Sequence, residues 1–189
     1  MEIIKITKET TVQSYGEFWD AFQHLKELID TSQLGWSKIK LSALTMVCFS
    51  IEAFANHVGQ HLFISWESIE RGMSPIGKLK LFVEMLKIEI KYSESPFNTV
   101  NELMKWRNKV AHGKTETFTS TQSATVENCD ALLGQIENSD WKQYVLNVDI
   151  SRIEIDSRTI MKIIHEKAFG NLEWFLISSR HIGATHLNN

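Results

Sequence analysis

Three polar side chains, Arg107, Asn108 and His112, fall within the string Trp106-Arg107-Asn108-Lys109-Val110-Ala111-His112-Gly113. Their types suit chemistry on a phosphodiester. A guanidinium grips phosphate through a planar fork of donors, and an imidazole titrates near neutral pH and can take or give a proton. The set could cleave RNA without a metal, by in-line attack of a ribose 2'-OH on the adjacent phosphate. His112 is then the general base, Arg107 stabilises charge on the phosphorane oxygens, and Asn108 orients either the base or the phosphate. The products are a 2',3'-cyclic phosphate and a 5'-OH, so DNA is spared. A helix C-terminus favours a cationic His whereas a base must be neutral; Arg107 and the surrounding lysines oppose that pull. The plainer role is capping, since basic residues often bind the last carbonyls of a helix.

Other candidates support or compete with this set. Glu52 and Asn56 lie one helical turn apart in an apolar setting, and a carboxylate there needs a partner, which Arg107 or His112 could be. An exposed Glu on a polar helix face is the alternative. Lys105, Lys109 and Lys114 flank the motif as candidate RNA contacts. His57 and His61 have the spacing to share a metal, but no third ligand is evident and the apolar flanks suit core or interface histidines, so neither metal nor cofactor is expected. Cys48 and Cys129 form neither a disulfide framework nor a Cys-x-x-Cys motif. No Gly-rich phosphate loop, Ser-His-Asp set or zinc-finger spacing occurs, and the Trp and Phe residues read as core and interface rather than a base-stacking platform.

A net charge of -3 argues against indiscriminate coating of nucleic acid. Between positions 71 and 114, however, nine Lys and Arg face four Glu. Such a basic segment ending in the motif suits a local phosphate footprint, or equally a set of solvated helix faces. With 189 residues, 43% of them hydrophobic, and no Pro- or Ser-rich linker, the chain reads as a single domain spanning 1–189. The start lacks an apolar signal core, and the apolar run over 41–64 is broken by Glu52, Asn56, His57, Gln60 and His61, which points to a bundle helix in a cytoplasmic protein with no membrane span.

The elements that position the motif read as helices. The spacing of Phe18, Phe22, Leu25 and Leu28 or Ile29 predicts one over 14–31. A loop at Gly35 leads to the longest, over 37–64, with Leu41, Leu44, Cys48, Ile51, Ala55, Val58 and Leu62 as its inner stripe. Ile76, Leu79, Val83, Leu86 and Ile90 predict a third. The fourth has Ser95 as N-cap, Pro96 as its first residue, an inner side of Phe97, Val100, Met104 and Ala111, and its stop at Gly113. A less regular helix over 123–144 should break near Ser139. Alternation over 150–155 predicts a strand, paired with another near Ile4 and Ile6. Asp156 then caps a last helix over 157–180, and 183–189 should fray. The fold class is all-α, an up-and-down helical bundle with a small accessory β-element.

The motif resembles the signature of the HEPN superfamily of helical ribonucleases and nucleotide-binding proteins, in which an Arg is followed four to six residues later by a His. Arg158 with His165 and Arg180 with His186 share that spacing, but only Arg107 is followed by the polar residue the family favours and only His112 lies at a Gly-terminated helix end. The resemblance covers 106–113 and implies an endoribonuclease of toxin or antiphage-defence type. It also implies a homodimer that brings two motifs into one cleft, acting on RNA under an antitoxin or regulatory partner. Lys114 stands where one branch of the family carries a Tyr modified by its partner, so the chain departs from that branch and the resemblance does not extend to that form of control. A non-catalytic helical module for dimerisation and for binding RNA, nucleotide or protein is the competing class.

Overall fold

The longest apolar stripe builds the helix around which the others are arranged. The computed structural model describes residues 6–32, 34–117, 119, 139–173, 175–177 and 179–186. Within them, α1 (Ser14–Thr31) and α2 (Trp36–Leu62) are followed by α3 (Trp66–Glu70), α4 (Pro75–Met85), α5 (Phe97–Ala111), α6 (Asp140–Asn147) and α7 (Ile150–Phe169). The fold is an all-α helical bundle. A two-stranded antiparallel sheet of β1 (Ile6–Val12) and β2 (Ser179–His186) brings the two ends of the described chain together.

Helix α2 packs against α1, α3, α4, α5, α6 and α7. That central position explains why Ala43, Val47 and Phe54 are buried as fully as Leu44, Cys48, Ile51, Ala55 and Val58. By length and composition α2 meets the bounds of a membrane-crossing helix despite its polar interruptions, yet half of its apolar window is already covered by the bundle. On α1, Tyr15, Trp19 and Phe22 are buried, and Ile29 rather than Leu28 packs on the core.

Several expectations change. The segment at 150–155 is helical, because Asp149 accepts from the backbone N–H groups of Ser151 and Arg152 and so caps α7. Ile153, Ile160 and Ile164 then fall on one buried face, a helical spacing that outweighs the short alternation. Asp156 is consequently an internal, buried residue rather than a cap. The helix ends at Gly170, whose φ of 75° suits a residue without Cβ, and does not run on to 180. The strand partner of β1 is β2, with Ile6 opposite His186 and Val12 opposite Ser179, so 184–186 is paired where fraying was expected, with Gly183 at a bulge between the pairs Lys8–Ala184 and Glu9–Ile182.

Helix α4 also stops early, at Met85, because Leu86, Ile88 and Ile90 alternate with exposed Lys87 and Glu89 along a non-helical segment. At the start of α5, Phe97 is the first helical residue and Pro96 the N-cap; the Ser95 hydroxyl donates instead to Asp156. Leu103 and Trp106 join Phe97, Val100 and Met104 on the buried side of α5, while Ala111 is exposed. The break expected near Ser139 is the start of α6; the rest of the predicted helix over 123–138 lies outside the described residues. Helix α3 had no sequence expectation. Its Trp66 is buried against Gly59, where a Cβ would come within 2.1 Å of the indole.

Candidate functional site

Helix α5 carries the motif on its last turns and stops where the sequence predicts, with His112 at the C-cap. The His112 backbone N–H donates to the carbonyls of Asn108 and Val110, and the Gly113 N–H to Val110. Backbone groups therefore close the helix. The imidazole is exposed and, among the described residues, makes no hydrogen bond or ion pair that would commit it to capping.

Arg107 meets the carboxylate predicted for it. Its Nη2 donates to Glu52 Oε2 at 2.9 Å, both side chains are about three-quarters shielded (26% and 32% exposed), and Nη1 donates to Asn108 Oδ1 at 3.3 Å. The pair joins α2 to α5. A guanidinium has five N–H donors, so these two contacts fix its plane and leave others for an anion. Nearby Cys48 is buried behind this pair, and burial pushes its thiol well up, with Arg107 pulling it down less strongly. It is therefore no nucleophile.

Asn56 does not join them. Its Oδ1 accepts from Lys78 at 2.6 Å, and Lys78 is itself buried beside the Trp66 ring. A buried ammonium needs an acceptor, which the amide supplies. Asn56 thus serves the core, where sequence reasoning had put it with the motif.

Arg107 and His112 face different surroundings. Five residues along a helix turn the chain by roughly 140°, so the two side chains leave α5 on different sides. His112 lines a cavity of about 270 Å3 with Lys109, Lys114, Glu116, Asp140 and Trp141, of which Arg107 is not a part. Lys109 Nζ pairs with Asp140 at 3.2 Å across this cavity, and Trp106 anchors its wall by donating from Nε1 to the Trp141 carbonyl at 3.0 Å. Asp140 and Trp141 were not singled out from the sequence; the only signal was the polar run before Asp140 that marks the start of a helix.

The basic segment is less basic in three dimensions than along the chain. Lys105 pairs with Glu102, Lys91 with Glu94, Arg107 with Glu52 and Lys109 with Asp140, the last two acids arriving from other elements. Lys114 is the flanking cation that, among the described residues, has no ion pair.

Three other histidines, His57, His61 and His165, belong to an aromatic cluster. His61 stacks on Phe169 at 4.3 Å and its Nε2 lies 3.2 Å from the Ala168 carbonyl, while His57 lies 5.1 Å from Tyr15 and 5.2 Å from Phe169 between ring centroids. His165 packs on the same Phe169, buried while Arg158 is exposed, so their shared spacing brings no common site. The side chains of Arg180 and His186 lie outside the described residues. Burial pushes His57 and His165 down, toward the neutral form. Among the described residues no three His, Cys, Asp or Glu side chains gather as a metal site would need. Comparison with protein-family models, with curated proteins and with solved structures finds no match.

Proposed function

We propose that this chain is a HEPN-like, metal-independent endoribonuclease that works as a two-fold dimer. The observation that carries this reading is the Glu52 to Arg107 pair: a carboxylate from the central helix orients the motif arginine while leaving guanidinium donors for a phosphate. His112 supports it, because its imidazole is exposed beside Lys109 and Lys114 and is not spent on closing the helix.

In the reaction, His112 takes the proton of the ribose 2'-OH as its oxygen attacks phosphorus. Arg107 binds the non-bridging oxygens. The bond from phosphorus to the 5'-oxygen breaks, and that oxygen collects a proton from the imidazolium of the second copy. Two copies meet both needs of the chemistry, since within one copy Arg107 and His112 leave the helix on different sides and one imidazole cannot be acid and base at once. Closed two-fold assembly is the commonest arrangement for soluble chains. A toxin or antiphage role under a partner protein follows from the motif resemblance and is part of the same proposal.

One observation favours a second reading. Arg107 bridges α2 and α5 without sharing the cavity of His112, which is what a non-catalytic module for dimerisation and RNA or nucleotide binding requires of it. End-group analysis of RNA incubated with the protein in EDTA separates the two. Cleavage leaving cyclic phosphate and 5'-OH, blocked by a 2'-O-methyl group at the cut site and reduced about 10²- to 10⁴-fold by Arg107→Ala and by His112→Ala, supports the nuclease. Products with 5'-phosphate overturn the assigned roles. No cleavage, with RNA binding that still depends on Arg107, favours the module.

A further inference from the structure

A second cavity shares Trp141 with the cavity at His112 but none of the side chains of Arg107, Asn108 or His112. It is a cleft of about 520 Å3 between the first turns of α2 and helix α6. That volume falls within the range of about 300–1,000 Å3 typical of small-molecule sites.

Its chemistry is two-sided. Leu41 on α2 and Trp141, Val145 and Leu146 on α6 supply apolar walls. Ser37 and Ser42 line it from α2, the Ser42 hydroxyl donating to the Lys38 carbonyl, and two exposed lysines line it, Lys38 from α2 and Lys142 from α6, with Lys142 Nζ 5.6 Å from the Trp141 ring centroid. Among the described residues no Asp or Glu lines the cleft. Two cations without a carboxylate, set over apolar walls, complement a ligand with a negative head and a hydrocarbon or aromatic body.

The walls are braced on both sides. Lys40, next to Leu41 and buried, directs Nζ at the Leu146 carbonyl at 3.5 Å, tying the end of α6 to α2. On the far side the Trp141 carbonyl accepts from Trp106. The first turn of α2 begins at Gly35, which offers no side-chain cap, and contains no acid of its own to repel an anionic head beside Ser37 and Lys38. The apolar surface continues outside the cleft, with Trp36 and Leu146 both more than one-third exposed.

We propose that the cleft between α2 and α6 binds a small amphipathic anion, an acyl or aryl chain ending in a carboxylate or phosphate, with its body on Leu41, Trp141 and Val145 and its head between Lys38 and Lys142. This site meets the His112 cavity at Trp141 but includes neither Arg107 nor His112, and the proposal holds whether or not the chain cleaves RNA.

The test is calorimetric titration of the full chain with octanoate, with octylammonium as the charge-reversed control. Saturable one-to-one binding of octanoate, tighter than about 1 mM, is expected, with octylammonium at least about tenfold weaker. The double variant Lys38→Glu, Lys142→Glu should weaken octanoate about tenfold or more. Ser42→Trp, a change at an exposed position, should fill the cleft and abolish binding while circular dichroism retains the wild-type helical signal. Absence of saturable octanoate binding, equal binding of octylammonium, or octanoate affinity unchanged in folded Ser42→Trp protein would overturn the proposal.

Discussion

Helix α5 begins and ends in two different electrostatic settings. At its start, the hydroxyls of Ser95 and Thr99 donate to Asp156 Oδ2 on α7, and Arg152 Nε lies 3.5 Å from the same oxygen. That carboxylate is buried and every donor around it is local to the α5 and α7 contact. At its end, Arg107 is held by one carboxylate and His112, among the described residues, by none. Low dielectric makes a satisfied buried network costly to break, whereas donors left uncommitted near solvent are available to a ligand. One end of the helix is thereby an anchor and the other a set of presented groups.

The sharpest way to break this contrast is to remove the anchor. Asp156→Ala leaves the Ser95 and Thr99 hydroxyls without their acceptor and opens a void between two packed helices, and should destabilise the fold by about 2–4 kcal/mol. His112→Ala, at an exposed C-cap, should change stability by less than about 0.5 kcal/mol while removing cleavage. Urea unfolding of both variants measures the difference. Equal stability losses would mean that His112 is structural too.

Glu52→Gln probes the other end at finer scale. The amide keeps the size of the side chain and can still accept from Arg107, but loses the charge. The pair is partly exposed, so the stability cost should be about 1 kcal/mol or less. Activity should fall more, about tenfold, because a loosely held guanidinium is displaced from the phosphate. A thermal shift paired with a cleavage assay reads both; a variant losing stability without activity would make the pair a simple brace.

What could be read from the sequence follows the same division. Long helical periodicity was legible in α1, α2 and α5, because tertiary burial and local spacing agree there. Glu52 was legible as Arg107's partner because a carboxylate in an apolar run must be compensated. Asp156 was misread: an acid before Ser157 looks like an N-cap, and only the approach of Ser95 and Thr99 from a distant helix makes it an internal anchor. Residues 86–90 were misread in the opposite sense, since Leu86 and Ile90 fit a helix while the intervening Ile88 reveals alternation. Asn56 and the cavity at His112 were not legible, because Lys78, Asp140 and Trp141 reach them through folding alone.

Two histidines extend the contrast to pH. His165 is buried, and burial pushes its pKa down against a weaker upward pull from the Glu173 backbone; His57 is pushed down by burial, then by His165 and His61. In the unfolded chain both take protons near pH 6.5. The unfolded state therefore binds more protons in the window below that value, so stability is complete above it and falls as pH drops toward the lower folded pKa values. Glu154, held down by Lys26 and Gln23 against its burial, adds a separate loss below the ordinary Glu range near pH 4.5. Melting temperature followed from pH 7.5 to 5.5 should fall, and His165→Leu should flatten that slope. A slope unchanged in this variant would move the effect to other histidines.

The smallest effect belongs to Lys109. Its ammonium pairs with Asp140 at 3.2 Å, but both side chains are largely exposed, at 60% and 87%, and an exposed pair of this kind contributes about 0–1 kcal/mol. Lys109→Ala should therefore leave melting nearly unchanged, by less than about 2 °C, and that small change should vanish in high salt as screening shortens the reach of both charges. On RNA the same variant should act differently from His112→Ala. A lost phosphate contact weakens binding across sequences and lowers the salt slope by about one, whereas a lost base removes turnover and leaves affinity in place. Salt-dependent affinity of Lys109→Ala measured beside that of His112→Ala decides between positioning and chemistry: an unchanged slope would mean that Asp140 already satisfies Lys109 in the bound state, leaving Lys114 and Arg107 as the cations that meet the backbone.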